Sequence, residues 1–170
     1  MANTFELISA VTVGSGGTAS IDFTSIPSTY TDIVIKGSLR TAESGTAESS
    51  QSLLIQFNGT TTNYSYRLLQ GYNNTVASYN NTTRYFGDAT NSDATASTFG
   101  NLEIYIPNYA GSTNKSYSAD SVTENNGTKA VANLNAGLWS NAAAITSISI
   151  SAANNLVQYS TAYLYGVKNA

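Results

Sequence analysis

The feature that most limits how this chain can fold is its side-chain period. Apolar residues recur at every second position along most of its 170 residues. That is the spacing at which successive side chains leave a β-strand on opposite faces. Phe5–Val13 reads as a strand. Ile21 and Phe23 share one face of the next. Ile33, Ile35 and Leu39 share one face of a third, with Asp32, Lys36, Ser38 and Arg40 opposite. A polar loop, Thr41–Ser50, leads to the strongest strand, Ser52–Gly59, which ends on the turn pair Asn58-Gly59. Tyr64–Tyr72 follows, then weak strands at Val76–Asn80 and Arg84–Gly87. Phe99–Asn108 places Leu102, Ile104 and Ile106 on one face, and Pro107 ends its pairing.

Towards the C-terminus, Lys115–Asn125 and Lys129–Ser140 flank a hairpin turn at Asn125–Thr128, and Ser160–Lys168 closes the chain. Ile145, Ile148 and Ile150 change phase near Thr146-Ser147, which a bulge would explain. Helix signals are poor; Ser140–Ser147 has room for one helical turn. The Gly-rich stretch Val13–Ser20 reads as a hairpin loop between the first two strands, since it lacks the Lys or helix start of a phosphate cradle. Many short strands, with no linker or composition break, predict one all-β domain over residues 1–170. The expected architecture is an antiparallel β-sandwich of jelly-roll type, in which each strand buries one face.

Only 10% of the residues are charged, against roughly 25% in ordinary soluble domains. The net charge is -3, and the seven basic residues are scattered rather than clustered. A nucleic-acid partner is therefore not expected, because phosphate binding needs grouped Lys and Arg. Cys and His are both absent. Disulfides, thiolate metal sites and the usual general base are excluded with them. The N-terminal segment lacks the basic start and continuous apolar stretch of a signal peptide, so synthesis in the cytoplasm without export is expected. No apolar run approaches the roughly 20 residues of a membrane helix, and no membrane association is expected.

The search for chemistry returns little. The acids, from Glu6 to Glu124, fall mostly on outward strand positions or in loops, and no Lys is marked out as the partner of a Ser nucleophile. Each Lys is read as solvated surface. Asp88–Asp93 offers several oxygen-bearing side chains, but in no calcium-loop spacing. Neither catalysis nor a cofactor or metal is expected. The aromatic residues are more informative, since Tyr and Trp bury large areas at interfaces and stack on sugars. The candidate interface or ligand residues are Tyr64, Tyr66, Tyr72, Tyr85 and Tyr109 in the middle, Trp139 later, and Phe5 in the N-terminal segment. Tyr64 and Tyr66 share a strand face, so an aromatic ridge is expected there.

Two segments carry a resemblance. "FTSIPSTYTDIVIKGSLR" (Phe23–Arg40) resembles a segment common in virion structural proteins of tailed bacteriophages, where such a corner is followed by an apolar strand and an Arg. "ITSISISAANNLVQYSTAYLYGVK" (Ile145–Lys168) resembles the closing hairpin of the same proteins, with Leu164, Tyr165, Gly166 and Val167 in the final strand. Thr41–Ala144 is unmatched. The resemblance implies a non-enzymatic virion module made in the host cytoplasm. One implied role is a capsid decoration (cement) protein, a homotrimer bound to the major capsid protein and other virion proteins. The alternative is a tail-fibre or receptor-binding module that recognises carbohydrate. Within the first segment, Pro27 fixes φ and holds Ile26 extended, and Tyr30 is expected to pack over the corner.

Overall fold

The computed structural model describes residues 4–44, 50–123 and 130–168. Among them the chain forms β1 (Phe5–Thr12), β2 (Thr18–Phe23), β3 (Asp32–Leu39), β4 (Ser50–Phe57), β5 (Tyr64–Tyr72) and β6 (Thr75–Asn81). It continues through β7 (Tyr85–Thr90), β8 (Gly100–Pro107), β9 (Lys115–Val122), β10 (Val131–Trp139), β11 (Ile148–Leu156) and β12 (Thr161–Val167). No helix occurs among the described residues. The strands build two antiparallel sheets. The large one runs β1-β12-β3-β8-β9-β10-β5-β6 and the small one β2-β11-β4-β7. The protein is a β-sandwich, as the period-two pattern predicts.

The core lies between the sheets. Ile33, Ile35 and Leu39 of β3 and Leu102, Ile104 and Ile106 of β8 face Ile21 and Phe23 of β2, Leu53, Ile55 and Phe57 of β4, and Ile148 and Ile150 of β11. Each such side chain contributes about 1.5–3 kcal/mol by leaving water. The first and last strands pair, Phe5 opposite Val167, and the Lys168 amide donates to the Thr4 carbonyl at 3.0 Å.

Several local expectations are corrected. Val13–Ser20 is not a hairpin loop, because β1 and β2 lie in different sheets. It crosses the sandwich with Gly17 at φ 68°, where a Cβ would sit 2.9 Å from the Leu156 carbonyl oxygen. Asn58 and Gly59 do form a tight turn, with φ 50° and 70° and a Thr60 amide to Phe57 carbonyl bond of 2.9 Å. That turn likewise sends the chain from the small sheet to the large one. Ser140–Ser147 is not helical. It is an irregular segment fixed by the Ile145 amide on the Tyr109 carbonyl (2.9 Å) and by the Asn58 side chain. The Asn58 amide group donates to Ala144 (2.7 Å), and its oxygen accepts from the Thr146 (2.8 Å) and Ser147 (3.1 Å) amides. No bulge falls at Thr146-Ser147. β11 simply begins after Ser147, and its irregularity lies between Ser151 and Leu156. The expected turn at Asn125–Thr128 lies outside the described residues.

The Pro27 corner docks as one unit against both ends of the chain. Ser25 takes a positive φ of 55°, the Ile26 amide donates to Thr146 (3.0 Å), and the Tyr109 hydroxyl donates to the Pro27 carbonyl. The half-buried Tyr30 ring lies directly on Gly166, so close that a Cβ there would fall 2.3 Å from ring carbons. The Lys168 ammonium sits 5.1 Å from the Tyr30 centroid and 2.7 Å from the Glu6 carboxylate, and it holds that carboxyl below its usual pKa range.

Candidate functional site

The aromatic candidates separate into two groups. Tyr64, Tyr109 and Trp139 are core residues, not surface platforms. Trp139 is fully buried, directly opposite Tyr64 in register, with ring centroids 6.3 Å apart, and Phe57 lies 5.5 Å from the indole. The Tyr64 hydroxyl accepts the Phe57 amide at 2.7 Å, and burial raises its pKa. Alternation alone cannot reveal this, because it does not say which face another sheet will cover. Tyr72 is half-buried at the β5–β6 turn. Tyr66, Tyr85 and Phe5 are the candidates that reach a surface feature: the first two line a groove, and Phe5 is 55% exposed. The expected Tyr64–Tyr66 ridge does not form, since only its second member faces the groove.

One surface is the outer face of the large sheet. Among the described residues nothing packs over it, and it carries Phe5 and Leu7 on β1, Tyr163 on β12, Tyr105 on β8, Leu134 on β10 and Leu69 on β5, all more than a third exposed. Val34 in the same face is almost fully buried, flanked in register by Tyr105 and Tyr165. A Lys36–Glu103 ion pair of 2.6 Å lies in the same face, and the Tyr105 hydroxyl donates to Asp32 at 2.7 Å. Leu7, Tyr163 and Leu134 were absent from the residues singled out by sequence. The signal for Leu134 was its position between Asn133 and Asn135, but alternation would have turned the Leu inward.

The phase of β10 is inverted for a physical reason. Asn133 and Asn135 are buried and Leu134 is exposed. The inward polar groups meet β7, one of the two edge strands of the small sheet. The Ser121 hydroxyl accepts the Asp88 amide at 2.9 Å, and the Asn135 side chain donates to the Tyr85 carbonyl at 3.4 Å. An edge strand presents unpaired backbone groups, and here side chains of the facing sheet satisfy part of that row. A register shift between Leu53 and Leu54 leaves Phe86 in the core while Tyr85 lies opposite Leu54 on the outer side of the small sheet.

Beyond that edge, no sheet among the described residues covers the inner face of the β5–β6 hairpin. Tyr66, Leu68, Gln70 and Tyr79 there, together with Ser52, Leu54 and Tyr85 of the small sheet, line a groove of about 680 Å³. A buried network fixes its base. Tyr85 and Asn133 both donate to one Asp88 oxygen, at 2.8 and 2.7 Å, and Gln70 donates to Asn133 at 3.0 Å. Burial first, then the Asp88 charge, raises the Tyr85 pKa. The Tyr66 ring rests on Tyr85, centroids 5.2 Å apart. Asp88 is therefore a residue of β7 rather than of an oxygen-rich loop, and the Asp93 amide closes a turn on the Asn91 side chain at 3.1 Å.

Two basic residues expected at the surface are interior. Lys115 is buried and donates to the carbonyls of Gly111 (2.7 Å), Thr113 and Ala142 (3.5 Å); burial lowers its pKa. Arg40 lies past the end of β3 and donates to the carbonyls of Ala94 (3.2 Å), Thr95 (2.9 Å) and Thr98 (2.8 Å), pinning that loop. No known protein family, curated protein or solved structure matches the chain significantly.

Proposed function

We propose that this chain is a non-enzymatic structural protein of a tailed-phage virion, a capsid decoration protein that binds the major capsid protein as a homotrimer. The observation that carries the reading is the bare outer face of the large sheet, with exposed apolar and Tyr side chains from β1 to β5 set among a few charged groups such as the Lys36–Glu103 pair and Asp32. Such a face is the kind that protein partners cover. A standard interface would bury about 800 Å² on each partner, and bound copies would stabilise the shell by mass action. The strand order adds support. We assign β1-β12-β3-β8 and β2-β11-β4-β7 as the two sheets of a jelly roll, with β5–β6 and β9–β10 as inserted hairpins that widen one sheet. Jelly rolls serve in viral capsids and in lectins, so the fold alone does not choose a role. The resemblance of Phe23–Arg40 and Ile145–Lys168 to tailed-phage virion proteins supplies the class.

The test is co-sedimentation of the purified protein with undecorated capsids of the phage that encodes it. Saturable binding is expected, and the double variant Leu7→Asp/Tyr163→Asp should lower occupancy at least tenfold (about 1.4 kcal/mol) with an unchanged melting temperature. Light scattering should give the mass of a trimer. Absence of wild-type binding, or labelling of tails alone, would overturn the decoration reading. The groove beside β7 favours a second reading, a receptor-binding module that recognises carbohydrate, since it combines aromatic rings with neutral hydrogen-bonding groups.

A further inference from the structure

We infer that the groove between the β5–β6 hairpin and the outer side of β4 and β7 binds a short oligosaccharide carrying a carboxylate, such as a uronic acid residue. The inference rests on the carbohydrate reading of the groove and adds the class of sugar. Its size, about 680 Å³, lies in the range of small-ligand sites. Tyr79 is 50% exposed at one wall, opposite Leu68 in register. Tyr66 is held against Tyr85, whose hydroxyl is fixed on Asp88. These rings offer faces to the C–H side of a pyranose at low entropy cost.

The charges of the groove select the ligand. Asp88 is nearly buried, and one of its carboxylate oxygens already accepts from Tyr85 and Asn133. Arg84 also lines the groove, half-buried, and its guanidinium has no ion pair or hydrogen bond among the described residues. A free guanidinium is a bidentate site for a carboxylate. One cation beside hydroxyl and amide side chains is too few for a nucleic-acid backbone, which needs several. Trp139, the residue that sequence would place on a sugar, lies in the core and cannot take part.

Amide NMR titration of the full chain tests this with three probes: trigalacturonate, its methyl ester and sialyllactose. Saturable shifts are expected at Leu68, Tyr79 and Arg84. At least one acidic probe should bind roughly tenfold more tightly than the ester. Arg84→Gln should bring the acid down to the affinity of the ester, whereas Arg84→Lys should keep part of the difference. Tyr79→Ala should weaken both acid and ester. Dispersed spectra for each variant establish that it is folded. Equal binding of acid and ester, unaffected by Arg84→Gln, would overturn the acidic-sugar inference and leave the carbohydrate reading standing. No saturable shift with any probe would overturn both.

Discussion

Tyr30 and Gly166 show how much one residue pair organises here. The ring occupies the space that a side chain at position 166 would need, and it joins the corner at one end of the sequence to the last strand at the other. Gly166→Ala is expected to force that ring away and destabilise the protein by about 1–3 kcal/mol, as overpacking does. Tyr30→Ala is expected to cost about 2 kcal/mol. This is less than the roughly 3 kcal/mol of a fully buried aromatic, because the ring is only half-buried. Since both changes act on one contact, the double variant should be more stable than the sum of the single effects predicts. Urea denaturation of the three variants measures this, and simple additivity would mean that the two residues do not share a packing role. The same contact brings two distant segments together: "SIPSTY" and "LYGV" are two halves of one packed joint.

Strands were legible as elements, while their neighbours and faces were less so. The alternation in β2, β3 and β8 located their buried residues correctly, since those strands face a sheet of apolar partners. β10 broke the rule because its inner face meets backbone edge groups that need hydrogen bonds rather than methyl groups. That arrangement is testable. Ser121 is fully buried, and its hydroxyl accepts from the Asp88 amide and from Asn133 at 3.2 Å. Ser121→Ala should destabilise the fold by about 1–3 kcal/mol, the range for an unsatisfied buried donor. It should also speed hydrogen exchange at the Asp88 amide selectively. Unchanged protection of that amide would show that the β7 edge is satisfied in another way. The turns follow the same logic: Val13–Ser20 and Asn58-Gly59 were recognisable as turns from Gly and Asn, but not as crossings between sheets.

Long-range pairings organise much of the molecule. β1 pairs with β12, β2 with β11 and β3 with both β8 and β12, so each of these ladders closes a long loop, while β5–β6, β8–β9 and β9–β10 pair locally. Loop closure precedes the contacts that reward it, and folding in milliseconds to seconds is expected rather than the microseconds of local-contact folds. Trp139, the one tryptophan of the chain and fully buried, reports the event. Its fluorescence in stopped-flow refolding should follow a time course in that range and, once folded, resist acrylamide quenching. Fast quenching would contradict its core position.

The sequence by itself determined the all-β class, the approximate strands and the apolar residues of the central ladders. It also set the absence of thiol and imidazole chemistry. Each of these depends on residue type or on a local period of two. Only the tertiary structure decided which aromatic residues are core and which are surface. It placed Tyr64, Tyr109 and Trp139 inside, left Phe5, Leu7 and Tyr163 on an uncovered sheet, and brought Tyr66, Tyr79 and Arg84 to one groove. The reason is physical. A strand always has two faces, and whether a face is buried is fixed by which distant segment the sandwich lays over it.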